Sequence, residues 1–182
     1  MLCYIITIVK HANSWLFMSD STSAAFQQHD HTHCIHSAMQ QAQDLCQQRG
    51  VRLTAIRQRA LELVWQSHKP LGAYDLLAQL AEEGFNSAPP TVYRALDFLQ
   101  HQGLIHKLAS VNAYTGCCNP GQPHEGHFFL CLGCHEALEL DTSTLQNSLQ
   151  ASAEEYGFKI AQQTIEVTGY CAQCQSVEAS KS

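Results

Sequence analysis

Four cysteines in two identical spacings constrain this chain more than anything else in it. Cys131-Leu132-Gly133-Cys134 and Cys171-Ala172-Gln173-Cys174 each place two sulfurs three residues apart. On a tight turn such a pair can take adjacent corners of a tetrahedron, and two such knuckles complete a closed four-thiolate site, the usual structural zinc arrangement. Residues 135–170 lie between the knuckles, too long a span for a minimal finger. The metal is therefore expected to clip together the two ends of a folded unit. A redox dithiol needs only one C-x-x-C, which would leave the second pair surplus.

The remaining composition agrees with metal thiolates. The nine cysteines are an odd number, accompanied by eleven histidines. The apolar run from Cys3 to Val9 lacks a basic segment before it and a small-residue cleavage site after it. Neither a secretory signal nor a disulfide framework is expected. The run is also far too short for a membrane span, which excludes a transmembrane protein.

Charge divides the chain. Residues 1–44 carry Lys10 against Asp20, Asp30 and Asp44, a balance of −2. Residues 45–107 carry seven basic and five acidic side chains, +2, and residues 108–182 two basic and eight acidic, −6. A mildly basic middle joined to an acidic C-terminal part points to two domains with different partners.

Periodicity supplies the elements. Residues 1–36 show no usable period, and His29, His31, His33 and His36 cluster there with Cys34. That segment reads either as a metal-collecting arm or as a disordered extension, even translated upstream sequence with initiation at Met18 or Met39. From Ser37 a helix is expected with Met39, Ala42, Leu45 and Cys46 on one face. A second follows Thr54 as N-cap, with Ile56, Ala60, Leu61, Val64 and Trp65 as its stripe. A third spans about Ala73 to Glu83. The fourth starts at Thr91 behind Pro89-Pro90 and buries Val92, Ala95, Leu96 and Leu99. Residues 104–108 and 112–115 then alternate as a hairpin around Ser110-Val111-Asn112. Short helices followed by a two-stranded wing make a winged helix-turn-helix, in which the helix at Thr91 is presented to the major groove of DNA.

Further on, His127 to Leu132 and Ala137 to Leu140 read as strands around the first knuckle. A helix over Thr142 to Tyr156 and a strand over Lys159 to Thr168 deliver the chain to the second. The core of this part is small, so a metal staple and a partner subunit are both expected. The fold class is therefore α+β. An N-terminal winged-helix DNA-binding domain (37–111) and a hinge (112–122) precede a small zinc-stapled α/β dimerisation domain (123–182), with residues 1–36 unassigned.

A second constellation is looser. His106 at the wing, Cys117 on the hinge, His124 in the following loop and Glu139 at a strand end offer nitrogen, sulfur and oxygen donors where the two domains meet. A metal held there would lock the angle between them. Cys118 competes with Cys117 for the thiol position, and His127 with His124 for the imidazole.

The pattern Arg52-Leu53-Thr54 with Arg57, Ala73-Tyr74-Asp75-Leu76-Leu77, Pro89-Pro90-Thr91-Val92-Tyr93-Arg94-Ala95-Leu96-Asp97-Phe98-Leu99, Gly103 with His106-Lys107 and both knuckles resembles the ferric uptake regulator superfamily over residues 40–175. The Pro-Pro-Thr run is distinctive for its zinc-responsive branch. The resemblance departs at Ala55 and Ile56, where the family has proline and glutamine, and residues 1–36 have no counterpart in it.

The resemblance implies a homodimeric, zinc-activated repressor of zinc-import genes in the bacterial cytoplasm. It implies two zinc ions per subunit, double-stranded operator DNA as partner, and neither a membrane nor a small-molecule substrate besides zinc. Cys131, Cys134, Cys171 and Cys174 match its structural site, and His106, Cys117, His124 and Glu139 its regulatory site. Tyr93 and Arg94 match the pair that contacts DNA from the recognition helix, which Thr91 opens. Arg94 can reach a guanine edge bidentately and Tyr93 a thymine methyl or a phosphate. Arg49, Arg52, Arg57 and Lys107 are candidates for phosphate contacts.

Two rivals remain. One is an iron or peroxide sensor of the same architecture, against which a thiolate in the second cluster argues, since it favours zinc over harder ions. The other is a zinc-dependent hydrolase at His106, His124 and Glu139, which would need a general base and a cleft that no residue pattern identifies. The chain is read as a regulator and not an enzyme.

Overall fold

The computed structural model describes residues 26, 31–86, 88–121, 124, 126–140 and 143–179; His29 and, apart from Phe26, the rest of the N-terminal arm before His31 lie outside them. The first helix, α1 (His31–Gln48), buries Ala38, Met39, Ala42 and Cys46. It starts six residues ahead of the Ser37 expected from periodicity. The added stretch, His31, Thr32, His33, Cys34 and His36 around the single aliphatic Ile35, is too polar for a period to stand out, although Ile35 packs against the core.

Helix α2 (Ala55–Val64) turns Ala60, Leu61, Leu63 and Val64 inward. Thr54 stands at its N-cap in extended conformation, but its side chain makes no capping bond. A two-residue strand, β1 (Leu71–Gly72), and helix α3 (Ala73–Glu82) follow, then α4 (Pro89–His101) with Pro in its first turn. On α4 the buried set is Val92, Ala95, Leu96 and Leu99, one stripe at helical spacing that leaves Tyr93, Arg94 and Asp97 on the outside. Val92, Leu96 and Leu99 join Leu61, Leu76 and Leu80 in the main core. Each fully buried leucine there contributes about 1.5–3 kcal/mol. Arg59 ties α2 to the end of α3 through paired bonds of 2.6 Å to Glu83, and within α2 it also donates to Glu62 at 2.9 Å. Being partly exposed, such a pair is worth about 0–1 kcal/mol.

The wing is β2 (Ile105–Leu108) and β3 (Ala113–Gly116), antiparallel, with Leu108 opposite Ala113. β1 adds to the outer side of β3, giving the order β1-β3-β2. Gly116 lets the wing close on α2: a Cβ there would stand 2.2 Å from the Trp65 indole.

The second unit is a sheet of order β5-β4-β6, formed by β4 (His127–Cys131), β5 (Ala137–Glu139) and β6 (Ile165–Gly169). β4 and β5 are antiparallel, while β4 and β6 are parallel, with helix α5 (Ser143–Glu155) in the crossover. The strand expected from Lys159 begins only at Ile165, and a final helix, α6 (Ala172–Ala179), was not expected at all. Phe128 stands opposite Glu139 on one side and Glu166 on the other. The two units share a core, because Leu108 of the wing packs with Phe128, Leu130 and Ala137. On the opposite face, Phe129 and Val167 pair across β4 and β6 and are both exposed.

Candidate metal centres

The first knuckle is shaped by its backbone. Cys131 N–H donates to the Glu136 carbonyl at 2.9 Å, His135 N–H to the Cys131 carbonyl at 2.9 Å, and His135 adopts φ 63°. Cys171 immediately precedes α6, so Cys174 falls in that helix's first turn. The ligand atoms of Cys131, Cys134, Cys171 and Cys174 all lie within 4.8 Å of one another. Cys134 and Cys171 sulfurs are 4.0 Å apart, and Cys171 N–H points at the Cys131 sulfur at 3.3 Å. All four are free cysteines.

Gly133 makes that closeness possible. A Cβ at this position would stand 2.6 Å from the Cys174 sulfur and 2.7 Å from its Cβ. The electrostatics are those of thiols crowded around one point. Burial opposes ionising Cys131, yet the N–H groups of Cys134, Cys171 and Gly133 outweigh it and hold that thiol below its ordinary range. Cys134 is pushed up by burial and by its Cys131 and Glu136 neighbours, and Cys174 by Cys171. The set can ionise fully only around a cation, and four sulfurs with no open corner suit a structural zinc.

The second cluster joins the two units. His106 comes from β2, Cys117 from the residue after β3, His124 from the loop and Glu139 from the end of β5. Their ligand atoms also all lie within 4.8 Å of one another. Glu139 Oε1 is 2.8 Å from His124 Nε2 and 3.0 Å from His106 Nε2, and the Cys117 sulfur is 3.4 Å from His124 Nε2. The His106 ring also meets the Phe128 ring edge-on, 5.4 Å between centroids.

Glu139 has a side chain only 5% exposed. Burial would raise its carboxyl, but His106, the Cys118 N–H at 2.8 Å and His124 hold it below the ordinary carboxylate range. Cys117 is buried, and burial first and the Glu139 charge second push its thiol above the ordinary range. A donor set of two imidazoles, a carboxylate and a thiolate fits zinc.

The geometry separates the competing donors. Cys117 N–H continues the wing ladder to the Leu104 carbonyl at 3.1 Å and its sulfur converges with the other donors, while Cys118 stands outside that set and meets Glu139 through its N–H at 2.8 Å and its thiol. His124 is in the cluster. His127 is fully buried on β4 instead, and neither of its ring nitrogens meets a hydrogen-bond partner among the described residues.

The expected DNA-facing residues divide in two. Tyr93, 40% exposed, and Arg94 project from α4, Thr91 stands half-buried in its first turn, and Arg52 and Lys107 are exposed. Arg57 turns inward: its guanidinium lies 3.6 Å above the Phe98 ring and donates to the Arg52 carbonyl at 2.7 Å. Arg49 similarly donates to the Gln102 carbonyl at 2.8 Å, joining the ends of α1 and α4. Sequence reasoning missed Glu166, whose carboxylate takes bonds from the wing turn, and no local signal marks it.

A winged-helix unit hinged through a metal-donor cluster to a thiol-stapled sheet defines a class of metal-sensing DNA-binding regulators. Residues 48–168 match the ferric uptake regulator family, and the chain belongs to that family. The zinc uptake regulation protein of Escherichia coli (strain K12) is 40% identical over 142 residues, covering 78% of this chain and 83% of that protein. Among solved structures, a zinc uptake regulator complexed with zinc and DNA superposes with a TM-score of 0.75 at 39% identity, covering 80% of this chain and 97% of the other. The crystal structure of holo XcZur gives 0.71 at 43% identity, covering 77% and 98%. Among the described residues no helix is long and apolar enough to cross a membrane.

Proposed function

We propose that this chain is a zinc-responsive transcriptional repressor of the bacterial cytoplasm that binds operator DNA as a homodimer and silences zinc-uptake genes. The observation that carries the reading is the second cluster. One of its donors, His106, is built into the wing, and another, Glu139, into the other sheet. Binding at that point therefore acts on the angle between the units. The relatives named for zinc uptake regulation, at 40% identity, support zinc as the ion sensed.

Two zinc ions per subunit are assigned. Cys131, Cys134, Cys171 and Cys174 would hold a structural ion, and His106, Cys117, His124 and Glu139 the regulatory one. The metal supplies only charge and coordination, with no reaction. This chain's residues do the rest: the winged unit from α1 through β3 reads DNA, the connection that starts at Cys117 hinges, and 123–182 pair the subunits. Exposed Phe129 and Val167 offer an apolar face to that pairing. Tyr93, Arg94 and Thr91 face the major groove, while Arg52 and Lys107 reach phosphates; Arg57 supports the helix entry from within.

Linkage provides the switch. If zinc prefers the closed, groove-spaced dimer, zinc favours DNA and DNA favours zinc by the same factor, about 5- to 150-fold for a coupling of about 1–3 kcal/mol. A reporter fused to a zinc-importer promoter tests the reading in cells. Repression is expected in zinc-replete medium only when the chain is present. Repression that follows iron and ignores zinc would refute it.

A further inference from the structure

One transverse row of the second sheet carries Glu139, Phe128 and Glu166 side by side, one on each of β5, β4 and β6. Directly opposed residues on neighbouring strands share a face, so both glutamates point to the side where Phe128 packs against Leu108 of the wing. Glu139 meets His106 near the start of β2. Glu166 meets the turn that follows the same strand. Its carboxylate accepts the Ala109 N–H at 2.7 Å and the Ser110 N–H at 3.0 Å, and also the Ser110 hydroxyl. Burial would raise the Glu166 carboxyl, but the Ser110 and Ala109 donors hold it below the ordinary range.

The His106–Glu139 corner is not alone in joining the units: Leu108 packs on Phe128, and the Ala137 N–H donates to the His68 carbonyl at 2.9 Å. Ala109 lies three residues beyond His106, about 10 Å along an extended strand. The Glu166 contact holds the wing turn itself, at the end of β2 away from His106, and so adds resistance to rotation of the winged unit.

We propose that Glu166 is a positioning residue for DNA binding: it anchors the wing turn to the dimer sheet, so that zinc at the neighbouring cluster is converted into one fixed orientation of the recognition helix. The proposal rests on the zinc-responsive reading above. The opposite role, a carboxylate that occupies the wing's N–H groups in competition with a DNA phosphate, is disfavoured. The chain that contains the contact superposes on a relative complexed with zinc and DNA with an overall TM-score of 0.75.

The test uses the full-length dimer loaded with zinc, in wild-type, E166Q, E166A and S110A forms. The probe is a duplex carrying a zinc-importer promoter of the source genome. Zinc affinity of the regulatory site is read by chelator competition with and without the duplex, alongside zinc content and thermal midpoint. In E166Q the two zinc ions and the midpoint are expected to stay as in wild type. Its duplex affinity at saturating zinc is expected to fall on the order of tenfold, and the factor by which DNA tightens zinc to shrink equally. S110A, which removes one donor of three, is expected to lose a few-fold and stays readable if E166A fails to fold. Unchanged affinity in E166Q and S110A would overturn the proposal. Tighter affinity would also overturn it and establish competition with phosphate. Wild-type binding that ignores zinc would overturn the zinc-responsive reading itself, visible before any variant is compared.

Discussion

His106 Nε2 lies 3.0 Å from Glu139 Oε1, joining a strand of the wing to a strand of the neighbouring sheet. Every other donor in the cluster sits in the connection between those strands: Cys117 directly after β3, and His124 in the loop before β4. The chain from one residue to the other is a closed loop with a coordination site at its neck. Binding there costs little rearrangement within either unit and acts on the relation between them.

Cys117→Ser replaces the soft donor with a hydroxyl that does not ionise at neutral pH. The variant is expected to keep the fold, the dimer and one zinc per subunit, and to lose zinc-dependent operator binding. Cys118→Ser, which keeps the backbone N–H to Glu139 and a side-chain donor, is expected to lose less regulatory zinc affinity than Cys117→Ser, since Cys118 supports Glu139 from outside the converging donors. Metal analysis with DNA titration checks both, and equal losses in the two variants would contradict the assignment.

Gly133→Ala acts on the other site without touching a ligand. Its methyl would stand 2.6 Å from the Cys174 sulfur, so the second knuckle must move away. The expected result is easier zinc removal by a chelator and a lower thermal midpoint, approaching those of Cys131→Ser. That substitution opens the four-thiolate site and is expected to destroy the dimer or its fold, because apparent zinc binding energies in such sites are about 10–16 kcal/mol. A Gly133→Ala protein as chelator-resistant as wild type would show that the knuckles are not packed this tightly.

Proton competition follows from Cys117. Its thiol is pushed up by burial and by Glu139, so the metal-free protein holds it protonated at neutral pH. Zinc must expel that proton, and regulatory affinity is expected to fall as pH falls, about tenfold per pH unit between pH 8.5 and 7 for one proton. In Cys117→Ser this dependence is expected to vanish. Chelator competition at several pH values measures it; a flat profile in wild type would mean that the thiol is not a ligand.

Glu83, Glu139 and Glu166 are all held below the ordinary carboxylate range, by Arg59, by the histidines and Cys118, and by the wing turn, respectively. Their contribution to stability is fully present above the unfolded carboxyl value near 4.3 and is lost as pH falls through the lower folded values. Urea midpoints of the protein carrying its structural zinc are expected to decline below about pH 4.5. Stability that increases on acidification would contradict these contacts.

Arg94→Ala removes an exposed guanidinium from α4 and is expected to cost about 1–3 kcal/mol of operator binding while relaxing base preference at one position. Lys107→Ala is expected to weaken binding to all duplexes alike and to lower the salt slope by about one. Binding measured against specific and scrambled duplexes at several salt concentrations separates the two.

Local patterns were legible and distant ones were not. The knuckles announce themselves because both sulfurs of a pair sit on one turn, and α4 because Val92, Ala95, Leu96 and Leu99 repeat at helical spacing. The choice of Cys117 over Cys118 depends on which neighbour continues the β3 ladder, a matter of register that the sequence leaves open. The start of α1 is silent because a single aliphatic residue, Ile35, stands among the histidines of its first turns. The two-residue β1 has no period to detect. Arg57 reads as a surface cation, yet it stacks on Phe98 from a different helix. Glu166 and Ser110 are 56 residues apart, and nothing near either one marks the contact.

The central claim is tested most directly by binding of the full-length protein to a zinc-importer promoter duplex across buffered free zinc, with iron and manganese in parallel and metal content assayed in the same samples. Binding that appears only with zinc, as the second ion per subunit is taken up, is the predicted result. Binding indifferent to zinc, or switched on by iron alone, would contradict it.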